Sequence, residues 1–229
     1  MGEVTGFREA ALRLLEEHAV AEDAPAMQRY MKSEMPFVGV RKPARVSIVD
    51  ELCRRFPFTT QQDLVDSARA LWRDATYREE RYVALSVTGH RAQRRFQDTG
   101  ALGLYEEFVV TGAWWDFVDE VASRRIGPLL LSDPDVVRPM LLRWSTDDDR
   151  WRRRTAIIAQ LRAKDRTDVE LLRRAVQANL TDPDFFLRKA IGWALREHAK
   201  TDPEWVRDFA ANHELSPLSR REALRNIGG

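Results

Sequence analysis

Apolar residues recur at helical spacing through almost the whole chain, and no stretch alternates as a strand would. Leu171, Leu172, Ala175, Val176 and Ala178 line one helical face, as do Ile157, Ile158 and Leu161. The helix starts are legible. Ser132-Asp133-Pro134, Thr181-Asp182-Pro183 and Thr201-Asp202-Pro203 each set a capping side chain before a proline at the first helical position. Asp135, Asp184 and Glu204 follow where the helix dipole favours a negative charge. Upstream, the pattern predicts helices near 6–19, 24–34, 43–56, 60–73, 77–96 and 100–110, with a turn at Pro36-Phe37-Val38-Gly39-Val40. No low-complexity linker interrupts the chain, which reads as a single domain, 1–229.

The helix starts fall into two interleaved series, Asp133, Asp168, Asp202 and Asp148, Asp182, Ser216, with steps of about 34 residues. That period is one helix pair. Such a pair cannot bury its apolar faces alone, so neighbours stack. The predicted fold is all-α: a superhelical solenoid of HEAT-like antiparallel helix pairs with a concave basic groove. The same step takes Asp119 to Arg154 and then to Arg188, which predicts a row on adjacent helices. Asp148/Arg154 and Asp182/Arg188 also have the six-residue spacing of a structural Asp–Arg ladder between repeats, so a purely structural reading of both arginines stands beside a functional one.

Composition changes the picture only in places. With 44% hydrophobic residues the chain can build a real core, and 37 basic against 36 acidic residues make charge distribution matter more than the total. The one cysteine, Cys53, lies among Val46, Ile48, Val49 and Leu52 and reads as a small buried hydrophobe. An internal disulfide is therefore impossible, which points to a reducing compartment. Glu3, Arg8 and Glu9 break the N-terminus as a signal peptide, and no apolar run reaches the roughly 18 residues of a membrane span. A cytoplasmic monomer is expected. The four histidines are dispersed without metal-ligand spacing, and there is no glycine-rich phosphate loop, nucleophile elbow or paired-cysteine cluster, so neither metal nor cofactor is expected.

The chemistry concentrates at Trp114-Trp115-Asp116-Phe117-Val118-Asp119. Residues four apart on a helix share a face, so Trp115 and Asp119 set an aromatic surface beside a carboxylate, an arrangement suited to a cation. Trp114 points about 100° away and reads as core. Arg154 and Trp193 are candidates for the same site. The basic candidates for a phosphate-binding groove are Arg41, Lys42 and Arg45, Arg150 with Arg152 to Arg154, Arg188 with Lys189, and Arg220 with Arg221. Such contacts would go to phosphates and carry no sequence information.

Trp114 to Asp119, Arg153-Arg154-Thr155-Ala156-Ile157 and Lys189-Ala190-Ile191-Gly192-Trp193-Ala194-Leu195-Arg196-Glu197 closely resemble the AlkD family of DNA alkylation-repair glycosylases. Ala199 to Pro203, Leu215 to Ala223, Tyr30-Met31-Lys32 and Phe37-Val38-Gly39-Val40 extend the resemblance over residues 24 to 227. The resemblance implies HEAT-like repeats and excision of cationic methylated purines, such as 3-methyladenine and 7-methylguanine, from duplex DNA without flipping the base into a pocket. It implies Trp115 and Asp119 as active-site aromatic and carboxylate, Trp193 as second aromatic, Arg154 near the lesion phosphate, and Tyr30 among the DNA contacts. Arg41 stands where some relatives carry an uncharged residue. A cationic purine is already a good leaving group, so one carboxylate would suffice where glycosidases acting on neutral sugars need two. The competing expectation is a catalytically silent helical scaffold that binds DNA structures or a protein partner.

Overall fold

In the computed structural model, which describes residues 2–228, fourteen α-helices account for nearly all the regular structure, and no strand occurs among the described residues. The chain divides into two compact units, Met1–Leu104 and Tyr105–Gly229.

In the first unit, α1 (Gly2–Glu17), α3 (Lys42–Arg55), α4 (Gln61–Arg73) and α5 (Arg78–Thr88) pack on one another, with α2 (Ala24–Met31) beside the loop that leads into α3. Phe7, Leu52, Leu71, Trp72 and Val83 fill the centre, each at most 1% exposed. Cys53 is buried there, and desolvation pushes its thiol up to about 11. The single helix expected over 77–96 ends instead at Thr88. Gly89 closes it, and His90 starts a 3-10 turn over Arg91–Phe96 by accepting the Ala92 N–H on its Nδ1.

The loop before α3 is held from beneath by a buried carboxylate. Glu79 is fully buried and accepts the backbone N–H groups of Val38, Gly39 and Val40 at 3.2, 3.0 and 3.1 Å. Gly39 has φ +93, and a Cβ there would lie 1.9 Å from the carbonyl oxygen of Val20. Only glycine fits both conditions. Arg45 completes the turn by donating to the Val40 carbonyl at 2.6 Å while its guanidinium lies over the Tyr82 ring.

The second unit takes in most of α6 (Leu102–Gly112) and runs on through α7 (Trp115–Val121), α8 (Gly127–Ser132), α9 (Pro134–Trp144), α10 (Arg150–Ile158), α11 (Val169–Gln177), α12 (Phe185–His198), α13 (Pro203–Asn212) and α14 (Pro217–Leu224). Here α10 packs against α7, α9, α11 and α12, and α12 packs closely on α14. The caps at Asp168, Asp202 and Ser216 form as the sequence predicts, accepting from Leu171, Trp205 and Ser219. Each such cap stabilises its helix by about 1 kcal/mol. Asp133 also stands at the N-cap of α9, but its side chain makes no capping hydrogen bond.

Two starts are shifted from the prediction. Helix α10 is capped by Asp149, not Asp148, and α12 by Asp184, not Asp182, so Pro183 precedes the helix rather than opening it. In each case an aspartate two residues earlier accepts the cap's own N–H: Asp147 for Asp149 at 2.9 Å and Asp182 for Asp184 at 2.7 Å. The repeated unit is thus an Asp-x-Asp turn, in which the first carboxylate shapes the loop and the second starts the helix.

Candidate active site

The residues that matter enter through a strained reversal. Helix α6 ends at Gly112, and Ala113 takes φ +43, a left-handed conformation that costs an alanine on the order of 1 kcal/mol. Trp114 then stands at the N-cap of α7 with extended backbone, and Trp115 opens the helix. The Trp114 ring packs against Phe186 at 5.4 Å and Trp151 at 6.3 Å, and Trp151 meets Phe186 at 5.1 Å. This aromatic cluster joins the starts of α7, α10 and α12. Trp115 and Trp193 are half-buried, and neither has a ring partner or side-chain hydrogen bond among the described residues.

Asp119 lies one helical turn beyond Trp115, as the spacing predicts, with its side chain 16% exposed. Its two oxygens receive a fork from Arg154: Nε to Oδ1 at 2.8 Å and Nη2 to Oδ2 at 2.9 Å. The third guanidinium nitrogen, Nη1, donates to the Phe186 carbonyl at 2.5 Å. Arg154 is 5% exposed. One buried guanidinium therefore ties the carboxylate of α7 to the first turn of α12 across α10. Trp193 lies seven residues after Phe186 on nearly the same side of α12, about 10 Å along its axis.

The electrostatics of the pair pull in opposite directions. Burial pushes the Asp119 carboxyl above the usual aspartate value and nearby Asp116 adds to that, while the Arg154 fork opposes both. A carboxylate has about four lone-pair positions, and the fork takes two. The others have no partner among the described residues.

The helix carrying Asp119 does not continue regularly. A π-helical turn, Ala122–Ile126, follows at once, with the Ser123 hydroxyl donating to the Asp119 carbonyl at 2.7 Å. Pro128 explains the widening, because it has no N–H for the Arg124 carbonyl four residues back. Arg125 Nη1 donates to that carbonyl at 3.2 Å instead.

Helix α12 is fixed on its other side by α14. A Cβ on Gly192 would lie 2.5 Å from the Glu222 Cβ and 2.9 Å from the Ser219 carbonyl oxygen, so the residue before Trp193 must be glycine for the helices to approach. Glu222, its side chain 6% exposed, gathers Lys189 at 3.2 Å, Arg225 at 2.5 Å and Arg196. Lys189 and Arg196 lie four residues before and three after Trp193, so this carboxylate holds the cations on both sides of the indole.

The structural ladder expected from the six-residue spacing takes a different form. Arg154 reaches Asp119 rather than Asp148, and Arg188 donates to the Asp182 backbone carbonyl rather than its carboxylate. Arg153 is the residue that reaches Asp182, at 3.0 Å. Among the other basic candidates, Lys189 is engaged with Glu222 and Arg220 donates to the Ala210 carbonyl, whereas Arg221 is exposed and without a side-chain partner among the described residues. In the first unit Tyr30 is 77% exposed, Lys42 is exposed, and Arg41 is paired with Asp23 through two contacts of 2.5 Å.

Sequence reasoning missed Phe186 and Glu222. Phe186 looks like one more core aromatic, and only the fold reveals its carbonyl as the third acceptor for Arg154. Among the described residues no group of histidine, cysteine and carboxylate side chains could hold a metal ion, and no helix is long and apolar enough to cross a membrane.

A search of curated proteins finds no match. A solved structure described as a predicted DNA alkylation repair enzyme from Enterococcus faecalis is similar over 92% of this chain and 97% of its own, with a TM-score of 0.83 and 29% identity. The model of the DNA alkylation repair enzyme family matches residues 11–227. With nearly the whole chain covered in one alignment, the protein belongs to the DNA alkylation repair enzyme family.

Proposed function

We propose that the protein is a monofunctional DNA glycosylase that hydrolyses the N-glycosidic bond of positively charged alkylpurines, such as 3-methyladenine and 7-methylguanine, in duplex DNA, working as a monomer, without a cofactor and without flipping the base into a pocket. The observation that carries this reading is a largely buried carboxylate, Asp119, held in a guanidinium fork one turn from an indole that has no partner of its own.

Departure of a cationic purine leaves positive charge on the deoxyribose. Asp119 stabilises that charge and orients the attacking water through the lone pairs Arg154 leaves open. A carboxylate about 4 Å from a unit charge gains on the order of 4 kcal/mol at an effective dielectric of 20. The Arg154 charge offsets part of that gain, so a thousandfold acceleration is roughly the ceiling for this interaction. Arg154 acts as a positioning residue: its fork fixes the plane of the carboxylate and keeps it ionised in a buried place. Trp115 and Trp193 offer ring faces to the sugar, about 0.5 to 2 kcal/mol each when desolvated. Phosphate contacts fall to the cations and aromatics with free ends, Lys42, Arg221 and Tyr30, and to Arg41, Arg188, Lys189 and Arg220 where they exchange an internal partner for a phosphate.

One observation favours the competing reading of a silent scaffold for DNA or a protein partner: Arg154 already occupies both Asp119 oxygens, as a purely structural ion pair would. Release of free base from duplex DNA treated with a methylating agent, followed by cleavage at the resulting abasic sites, separates the two. The glycosylase releases 3-methyladenine or 7-methylguanine at a rate proportional to enzyme; absence of release above the spontaneous rate would leave the scaffold.

A further inference from the structure

The loop over 160–167, between α10 and α11, presents three cations that the rest of the protein leaves alone. Arg162, Lys164 and Arg166 are exposed, and none makes an ion pair or side-chain hydrogen bond among the described residues. Elsewhere in this unit Arg150, Arg152, Arg153, Arg173 and Arg196 each face a carboxylate. The loop is also tied by hydrogen bonds of its own. Gln160, 7% exposed, staples its ends by accepting the Asp168 N–H at 2.7 Å and donating to the Asp168 carbonyl at 2.9 Å. Lys164 sits at φ +54, and its carbonyl takes both the backbone N–H and the hydroxyl of Thr167. Three positive charges are thus held out on a fixed turn, with only Asp165 of opposite sign among them.

The same loop walls two cavities. On one side a cavity of about 340 Å³ has an apolar floor of Gly127, Pro128, Leu131 and Ala159, with Arg162 and Arg166 at its edge. On the other, a cavity of about 660 Å³ reaches His198, Lys200 and Thr201 at the end of α12. His198 is 6% exposed, neither ring nitrogen has a hydrogen-bond partner, and burial lowers its pKa, so the ring is neutral near pH 7. Glu197 is neutralised by Lys200 at 2.7 Å. Cations outnumber carboxylates in the lining of both cavities.

We propose that this loop is a docking site for an acidic peptide segment of a partner protein, which seats one aliphatic side chain on the floor of Pro128 and Leu131 and lays its carboxylates against Arg162, Lys164 and Arg166. An apolar floor rimmed by unpaired guanidinium groups suits a chain that offers both kinds of group, and a phosphate backbone offers no apolar one. Trp115, Asp119, Arg154 and Trp193 line neither cavity. Arg154 lies midway along α10 and Phe186 near the beginning of α12, whereas the loop follows α10 and His198 ends α12.

The test uses the intact protein and a fluorescein-labelled acidic peptide, Glu-Glu-Leu-Glu-Asp-Leu, followed by anisotropy. The expected result is saturable binding that weakens as salt rises, falls about tenfold or more when both leucines of the peptide are replaced by serine, and is lost in the Arg162→Glu/Arg166→Glu variant. Duplex affinity of that variant should stay within about twofold of the parent. Lys164→Glu serves as the second variant if the double one melts early. No binding at about 1 mM protein, equal binding by the variants, or equal binding of the serine peptide would overturn the proposal. So would a loss of duplex affinity with a shallower salt slope, which would give the loop to DNA phosphates instead.

Discussion

Asp119 and Glu222 are both carboxylates removed from water in the same unit and met by arginine, yet their surroundings push them in opposite directions. Asp119 faces one guanidinium, and burial outweighs it, so its carboxyl is raised. Glu222 faces Lys189, Arg196 and Arg225, and although burial works against ionisation, the cations together hold its carboxyl below the usual glutamate value. The first is an anion with spare capacity; the second is saturated. A carboxylate meant to meet a transient cation must keep part of its charge unanswered, whereas one meant to join two helices does best fully surrounded.

The most severe way to break this comparison is Asp119→Asn. Excision from methylated duplex should fall about a hundred- to a thousandfold in single-turnover assays, with duplex affinity within a few-fold of the parent. Equal excision by both proteins would remove Asp119 from the chemistry. Next comes Gly192→Ala, which forces a methyl group into the Ser219 backbone and the Glu222 stem. Overpacking of this kind costs about 1 to 3 kcal/mol, a fall of several degrees in Tm by calorimetry, and excision should drop further than the remaining folded fraction explains because Trp193 moves with the helix.

A subtler contrast lies in pH. The acid limb of excision should sit above the ordinary aspartate range, since Asp119 must be ionised and its pKa is raised; Arg154→Lys, with its single point of contact, should move that limb to higher pH and slow the reaction roughly tenfold at pH 7. Glu222 has a lowered folded pKa. Its stabilisation is therefore present above the ordinary glutamate value and lost as pH falls through the lowered one. Glu222→Gln should flatten that acid dependence in thermal melts, and an unaltered curve would mean that the three cations find other partners. The smallest effect belongs to Ala113→Gly, which relieves the left-handed alanine and should raise stability by up to about 1 kcal/mol in chemical denaturation.

Much of this was legible without coordinates. The helix starts at Asp168, Asp202 and Ser216 follow from capping chemistry, which is local, and the pairing of Trp115 with Asp119 on one face follows from helical periodicity. Where several aspartates crowd one turn, as in Asp147-Asp148-Asp149, spacing alone could not say which is the cap, because that depends on how the backbone bends before the helix. Arg78-Glu79-Glu80 shows a deeper limit. Three consecutive charged residues at a helix start are ordinarily solvated, yet all three are at most 5% exposed, and Glu79 binds three backbone N–H groups some forty positions earlier in the chain.

By itself the sequence determined an all-helical chain, the position of most helix starts, a buried Cys53 and an aromatic–carboxylate pair at Trp115 and Asp119, since each depends on residues within a turn or two of one another. Only the tertiary structure decided that Arg154 turns to Asp119 and the Phe186 carbonyl, that Glu222 braces the helix of Trp193, and that Arg162, Lys164 and Arg166 stay unpaired. Those choices are made by the packing of one helix on another, which brings together groups that local pattern cannot connect.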